Sequence, residues 1–302
     1  MKRSQIAASS TAAHSQVWLG TILLSASAMA YSTAGFFTRL IAVDAWTLLL
    51  WRGVFAGLFI TGVISWREKG KAMEAWRSIG RDGLVIALFS ALATVCFLNA
   101  MRLSAVADVM VIDAMIPFFT AGIAWAVIGE REDKATLVAT FAAVAGVGVM
   151  AGPAVAEGRM LGDLLALCMA VLMATVLVLI RRNRAVNMLP AVALSAFVCA
   201  LIVWPFAHPL SVSTEQVGLL ALFGISQFGM GLLLLAIGTP LVSATRGALI
   251  GVLQTPLGTL WVWLAFSETP ATATLIGGAI VLAAVVVDIA LHARATKRSV
   301  AD

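Results

Sequence analysis

One acidic side chain lies deep within an apolar stretch of this sequence. Asp113 is nine residues into the segment Ser104 to Ile128, which is about 14 Å from the segment's start if the segment is helical. A carboxylate so far from water must face a cavity or a partner, and such residues are functional by default. Asp113 is therefore the leading candidate to contact a substrate amine or to carry a coupled proton, with a structural hydrogen bond as the alternative.

Two prolines interrupt apolar segments at equivalent positions. Pro117 deprives the carbonyl of Asp113 of its helical hydrogen bond, and Pro256 does the same to the carbonyl of Val252. Interrupted helices at matching positions of two halves are the best sequence pointer to a binding site in proteins that move solutes. We predict hinges at both prolines, while a simple packing kink is the alternative.

The segment around Pro256 carries a polar stripe on one helical face that includes Gln254 and Trp261, with Arg246 at its edge. A guanidinium suits bidentate capture of a substrate carboxylate. Arg246 is only about 9 Å into the segment, so snorkelling to the membrane surface is an equal alternative. Gln254 is deeper, and it either lines a cavity or links two helices.

Neutral polar residues elsewhere would complete the lining of such a cavity. Tyr31, the only tyrosine, follows Ser27 by four residues, and its ring can stack on an apolar substrate or anchor the helix at the interface. The other candidates, which also occur as links between helices, are Thr94, Asn99, Thr175, Ser226 and Gln227.

Composition defines the elements that must position these residues. The chain is 61% apolar and only 12% charged, which is typical of a membrane protein rather than a soluble domain. Ten apolar runs have about the length that crosses a bilayer as a helix. The predicted spans are Val17 to Arg39, Trp46 to Trp66, Gly83 to Met101, Ser104 to Ile128, Ala135 to Gly152, Leu161 to Ile180, Met188 to Ala207, Gln216 to Gly238, Pro240 to Phe266 and Ala271 to Leu291.

The net charge of +5 reflects membrane orientation rather than a nucleic-acid partner. With the amino terminus inside, nearly all basic residues outside the spans fall on one side, which the positive-inside rule assigns to the cytoplasm. We therefore expect a multi-pass protein of a bacterial-type inner (plasma) membrane with both termini cytoplasmic. A cleaved signal peptide is a weaker alternative for the first span, because its apolar run continues through Phe37.

The sequence contains an internal duplication. Ser104, Pro117 and Glu130 are repeated as Ser243, Pro256 and Glu268, and Gly20 with Arg39 is repeated as Gly162 with Arg181. Because five spans is an odd number, the second copy must run upside down relative to the first. We predict an all-α membrane protein of two inverted five-helix repeats, with a cytoplasmic tail 1–16, repeats 17–152 and 161–291, and a cytoplasmic tail 292–302.

Charged residues at the ends of equivalent spans suggest two latches for the two access states of such an inverted repeat. Glu130 and Arg181 fall on the inner face, whereas Glu268 and Arg39 fall on the outer face. Ordinary interfacial salt bridges are the alternative.

These motifs resemble the EamA-type branch of the drug/metabolite transporter superfamily. The matching residues are Ser104, Pro117 and Gly129-Glu130 in the fourth span, a weaker copy in the ninth that has Ser267 in place of the glycine, and Arg52 in the second. The resemblance implies a central cavity lined by the first, third, fourth, sixth, eighth and ninth helices, with the fifth and tenth at the periphery. Small multidrug relatives carry a glutamate in their first helix, whereas this chain has no acidic residue before Asp44.

The sequence therefore favours a secondary transporter that exports small metabolites by alternating access, with amino acids, including aromatic and other apolar ones, as the leading substrates. Export of amphiphilic drugs or organic cations is the alternative, and a channel is less favoured. An enzyme is disfavoured because the three histidines lie in loops or at span ends, and we expect no cofactor and no metal. Glycines in the fifth and tenth spans permit close approach, either within one chain or in a homodimer.

Overall fold

The structure is a computed structural model that describes the backbone of residues 2–104, 106–151, 160–267 and 269–301. It describes the side chains of residues 15–104, 109–150, 160–267 and 269–292. Every regular element within these ranges is a helix. The α-helices of the first half are α1 Lys2–Ser32, α2 Ala34–Leu40, α3 Ala45–Arg67, α4 Ala72–Arg77, α5 Gly80–Leu103, α6 Val106–Ala114, α7 Ile116–Ile128 and α8 Lys134–Ala151.

The second half repeats this order and adds shorter irregular turns. Its α-helices are α9 Met160–Arg182, α10 Leu189–Val203, α11 Thr214–Phe223, α12 Met230–Gly238, α13 Ala244–Gly251, α14 Gln254–Phe266 and α15 Thr272–Ala301. A π-helix at Gly224–Gly229 joins α11 to α12, and 3₁₀ turns occur at Trp204–Phe206, Pro209–Ser211 and Thr239–Leu241.

Ten helical segments correspond to the ten predicted spans. Within the described residues, nine are long and apolar enough to cross a membrane, and the fifth, Lys134–Met150, is slightly shorter. Most boundaries differ from the prediction by one to three residues, and the first, ninth and tenth helices differ more, the tenth because α15 continues to Ala301. The ninth span begins at Ala244 rather than Pro240, because Ser243 caps the helix and Pro240 lies in the preceding 3₁₀ turn. The first span continues the helix that begins at Lys2 and is interrupted at Thr33.

The fourth and ninth spans are interrupted near their prolines, as predicted. α6 ends at Ala114 and α7 begins at Ile116 with Pro117 in its first turn. α13 ends at Gly251 and α14 begins at Gln254, two residues before Pro256. Both spans also end in a left-handed residue, which is Gly129 in one copy and Ser267 in the other. Serine accepts this conformation at a cost of roughly 1–2 kcal/mol, so the second copy keeps the backbone shape without the glycine.

Helix packing follows the inverted duplication. The third span packs on the sixth and the eighth on the first, while the second pairs with the seventh and the fifth with the tenth. The repeated glycines make equivalent contacts: a Cβ on Gly20 would lie 2.7 Å from the Cβ of Leu241, and one on Gly162 would lie 2.5 Å from the Cβ of Ser104. The start of the first span thus touches the start of the ninth, and the start of the sixth touches the start of the fourth.

The fifth and tenth spans, α8 and α15, pack against each other through glycine. A Cβ on Gly146 would lie 2.8 Å from the carbonyl oxygen of Gly277, and one on Gly277 would lie 2.2 Å from that of Gly146. These faces are therefore occupied within one chain, so a homodimer through these spans would have to use other faces of the two helices.

A candidate solute-binding site between interrupted helices

The interruptions of the fourth and ninth spans bring two polar side chains together. Asp113 is the second-last residue of α6, and Gln254 is the first residue of α14. The Gln254 side-chain amide donates to the Asp113 carboxylate, with 3.5 Å between Nε2 and Oδ2. Both side chains are half-buried. Residues 141 positions apart in sequence thus form a polar centre where the two helices lose their regular hydrogen bonds.

A second polar cluster joins the first, second and eighth spans. The Arg52 guanidinium lies over the Phe228 ring, 4.1 Å from its centroid, and the Tyr31 ring meets the same phenylalanine edge to face at 6.4 Å. The Gln227 side-chain amide donates to the Tyr31 carbonyl at 3.3 Å. Within the described part of the chain, Tyr31 Oη, Arg52 Nε and Gln227 Oε1 are buried with no hydrogen-bond partner.

The π-helix Gly224–Gly229 positions this cluster. Its wider turn buries both Gln227 and Phe228, two successive residues, and π-helical turns of this kind occur frequently at functional sites. Glycine at each end allows close packing on the second span. A Cβ on Gly224 would lie 3.0 Å from the Arg52 carbonyl oxygen, and one on Gly229 would lie 2.9 Å from the Phe59 ring.

The first span connects the two clusters. Ser32, next to Tyr31, accepts a hydrogen bond from the Trp261 indole at 2.8 Å, and its carbonyl oxygen faces Gly258 of α14. Gln254 precedes Gly258 by one helical turn, roughly 6 Å along the axis. The first span therefore contacts both the cluster of Arg52, through Tyr31, and the helix that carries Gln254, through Ser32.

Arg246 does not occupy the position predicted for it. Its Nε donates to the Asp288 carboxylate of the tenth span at 3.2 Å, and the two side chains are only 6% and 0% exposed. Thr136 of the fifth span donates to the other Asp288 oxygen at 2.9 Å. The guanidinium does not snorkel to the membrane surface, because a buried counter-ion that links the fifth, ninth and tenth spans holds it, and its contact with a substrate stays a prediction.

The Asp288 cluster continues to the membrane surface through His292. The imidazole lies 3.4 Å from Asp288 through Nδ1 and 3.0 Å from Asp133 through Nε2. Asp133 also accepts from the Thr136 amide at the start of α8. Partial burial raises the pKa of Asp133, but the Thr136 hydrogen bond and His292 outweigh it and hold the pKa below its ordinary value.

The predicted ion pair between Glu130 and Arg181 is present, with 3.2 Å between the charged atoms. Arg181 also donates to the Pro240 carbonyl, and the Ala244 amide donates to Glu130 at 3.3 Å. The adjacent Glu132 accepts from Ser243 at 3.0 Å, and burial raises the pKa of Glu132. The ends of the fourth and sixth spans are thereby tied to the start of the ninth.

Glu268, the acidic member of the second predicted latch, lies outside the described residues. Arg39 lies near the same end of the ninth span, 6.0 Å from the centroid of the Phe266 ring. Ser104, which begins the fourth span, donates to Asp163 of the sixth. The pairing of Arg39 with Glu268 therefore stays a prediction.

Several predicted lining residues use their donors in helix contacts. Ser27 is buried and donates to the Gly231 carbonyl at 2.8 Å, which links the first span to the eighth. The others donate to carbonyls four residues earlier in their own helices, and they are Thr94, Asn99, Thr175 and Ser226. Only Asp113, Gln254, Tyr31, Gln227 and Trp261 of the predicted set belong to the two clusters or to the contact between them.

Sequence reasoning missed two important residues. The sequence patterns identify Arg52 only as a residue that resembles a family feature, and not as a site residue. They do not identify Asp288. A signal for Asp288 existed, since a buried arginine such as Arg246 needs a counter-ion and Asp288 is the only carboxylate in the tenth span. The grouping of Arg52 with Tyr31 had no local signal, because it depends on how three distant helices pack.

The inverted repeats and their paired interrupted helices around a polar centre define a membrane transporter of small solutes. The family comparison agrees: the EamA-like transporter family matches residues 18–152 and 160–288, once for each repeat. The chain belongs to this family.

One solved structure supports the fold. It is described only as a crystal structure of a protein, has a TM-score of 0.77, and is 20% identical over 90% of this chain and 98% of the other. No curated protein matches the chain.

Proposed function

We propose that this protein is a secondary transporter that exports small metabolites, with amino acids, including aromatic and other apolar ones, as the leading class. It works by alternating access in a bacterial-type inner membrane, with both termini in the cytoplasm. The observation that carries this proposal is the contact between Asp113 and Gln254 where two interrupted helices meet. Such interruptions at matching positions are where transporters of inverted-repeat architecture bind solutes.

The solute lies between the two polar clusters. Asp113 accepts hydrogen bonds from the ammonium group of the solute. Its half-buried carboxylate pairs with no cationic side chain among the described residues, and its charge is opposite to that of the ammonium. Gln254 orients that carboxylate. Tyr31 and Trp261 supply aromatic surface for an apolar side chain, and both are fixed by contacts to neighbouring helices.

Alternating access uses the likeness of the two halves. The pair of Glu130 and Arg181 closes one end by joining the fourth, sixth and ninth spans. When this pair breaks and its counterpart between Arg39 and Glu268 forms, the cytoplasmic end of the bundle opens and the outer end closes. The two conformations have similar free energies because each half makes the contacts that its inverted copy makes in the other state.

Transport into liposomes tests the proposal. Purified protein should carry labelled phenylalanine or leucine across the membrane, and a comparison with and without a pH gradient tests coupling to protons. Asp113→Asn should reduce the rate by at least tenfold, because the amide no longer carries the charge that attracts an ammonium group. Asp82→Asn is the matched control, since Asp82 pairs with Asn183 near the start of the third span and should keep normal transport.

Movement of a lipophilic organic cation such as tetraphenylphosphonium without movement of any amino acid would overturn the leading substrate class in favour of the drug-export alternative. Normal transport by Asp113→Asn at every pH would remove the role assigned to Asp113.

A further inference from the structure

We propose that Arg52, Tyr31 and Gln227 form a subsite for the carboxylate group of the transported solute. This inference rests on the proposed function and deepens it. It identifies the residues that bind the carboxylate group of the amino acid, which the negatively charged Asp113 cannot bind. It concerns a residue, Arg52, that lies in the second span and outside the helix interruptions.

Arg52 has no counter-ion among the described residues. The residue lies seven positions into α3, about 10 Å below the start of that helix. Within the described residues, no carboxylate lies within ion-pair distance of its guanidinium, and its buried Nε has no hydrogen-bond partner. The contact with the Phe228 ring at 4.1 Å fixes where the guanidinium lies but uses none of its N–H donors.

A second unpaired donor lies near that guanidinium. The Tyr31 hydroxyl is buried without a partner and adds one more donor beside Arg52, with which it shares the Phe228 ring. A planar guanidinium and a neighbouring hydroxyl donor match the two oxygens of a carboxylate. Burying these donors without any partner is costly, so a ligand that accepts from them gains binding free energy that packing alone leaves unused.

The cluster also contains a free amide oxygen, which can only accept. Gln227 donates its amide to the Tyr31 carbonyl, which holds the tyrosine in place, and leaves Oε1 buried and unpaired. An ammonium group on the carbon next to a carboxylate brings its N–H donors close to such an oxygen. The cluster therefore offers donors for the carboxylate and, at Gln227, a neutral acceptor that shares the adjacent ammonium group with Asp113.

The experiment compares two labelled probes with the same ring in liposomes, phenylalanine and phenethylamine, which lacks the carboxylate. Wild-type protein should take up phenylalanine with the lower KM. Arg52→Gln should raise the KM for phenylalanine on the order of tenfold to a hundredfold and leave that for phenethylamine within about twofold. Arg52→Lys should recover part of the loss, since it keeps the charge but not the planar fork.

Arg102→Gln is the matched control, because Arg102 also stacks on an aromatic ring, that of Trp46 at 5.2 Å, but at the end of the third span. It should leave both KM values unchanged. A normal KM for phenylalanine in Arg52→Gln would overturn the subsite while leaving the proposed function intact. Uptake of phenethylamine but not of phenylalanine by the wild-type protein would overturn both.

A second variant decides the matter if Arg52→Gln does not fold. Tyr31→Phe removes only the hydroxyl and keeps the ring that packs against Gly231. It should raise the KM for phenylalanine several-fold, keep that for phenethylamine, and unfold at the wild-type temperature. An unchanged KM for phenylalanine in this folded variant would overturn the subsite.

Discussion

Arg52 and Arg246 both lie within membrane spans of this protein, and their surroundings differ sharply. Arg246 is 6% exposed and bonds to the fully buried Asp288, which is bound in turn by Thr136. Arg52 is half-buried, contacts aromatic rings, and has an unpaired Nε within the described structure. The positive charge of Arg246 is thus neutralised by a carboxylate of the protein, whereas the charge of Arg52 is stabilised only by contact with aromatic rings.

The difference teaches that charge in a span is not by itself evidence of a solute site. A guanidinium whose donors face a buried carboxylate holds helices in register, since any solute would first have to displace that carboxylate. A guanidinium with unused donors is available to a ligand. The polar stripe of the ninth span favours Arg246 as a solute contact, whereas the unused donors of Arg52 are the reason for proposing Arg52 instead.

The largest effect should come from breaking the pair of Arg246 and Asp288. Arg246→Met alone should destabilise the protein by about 3–5 kcal/mol, because it leaves an uncompensated buried carboxylate. The double variant Arg246→Met with Asp288→Leu should recover most of that loss. Thermal and denaturant unfolding in detergent measures both, and a single variant that loses less than about 1 kcal/mol would show that the pair does not hold the helices.

The matching change at Arg52 should cost far less stability. Arg52→Met removes contacts with the Phe228 and Phe223 rings, worth no more than about 2 kcal/mol, and relieves the burial of an unpaired donor. The same unfolding measurement, with Arg102→Met as control, compares the two arginines directly. Equal losses for Arg52→Met and Arg246→Met would break the distinction drawn between them.

Arg181 provides an intermediate case that sharpens the comparison. Its pair with Glu130 is partly exposed, at 18% and 21%, so Arg181→Gln should cost about 1 kcal/mol. We also expect it to open this end of the bundle, which thiol labelling of a cysteine placed at Ala121 would detect as faster modification. The neighbouring, exposed Arg182→Gln serves as control, and equal labelling of the two variants would argue against a latch.

The smallest effect should be the pH dependence at the edge of the Arg246 network. Because the pKa of Asp133 is held below its ordinary value of about 4, its contribution is fully present above that pH and is lost as the pH falls through the lowered pKa. Asp133 is 56% exposed, so the contribution is only a few tenths of a kcal/mol. Tm values from pH 7 to pH 3 should differ slightly between wild type and Asp133→Asn, and converge in acid.

Much of the fold followed from the sequence, because bilayer thickness fixes span length and a proline removes a specific hydrogen bond. The interruptions near Pro117 and Pro256 and the equivalent contacts of Gly20 and Gly162 were therefore predictable. The site was predictable only in part: the depth of Asp113 identified it as a candidate, and Gln254 was proposed independently. Their contact across 141 residues follows from helix packing, for which the single sequence carries no local signal.

The second polar cluster was harder to foresee for a related reason. Periodicity places side chains on a regular wheel of 3.6 residues per turn, and the π-helix Gly224–Gly229 departs from that wheel. Gln227 and Ser226 were therefore grouped together in the sequence, whereas Gln227 is buried beside Tyr31 and Ser226 is half-buried and bonds to its own helix. Adjacent residues already point about 100° apart in a regular helix, so Ser226 and Gln227 need not share a cavity.

That turn also has a consequence for how the eighth span tolerates length changes. A π-helical turn contains about one residue more than an α-helical turn, so α11 and α12 are offset by about 100° relative to one continuous α-helix. Deleting one residue between Gly224 and Gly229 would let the span become a regular α-helix while α12 keeps nearly the same face toward the first span, whereas a deletion within α12 would rotate the residues beyond it by about 100°. The π-helical turn thus makes this short segment the one place in the eighth span where loss of a residue would leave the packing of both flanking helices nearly unchanged.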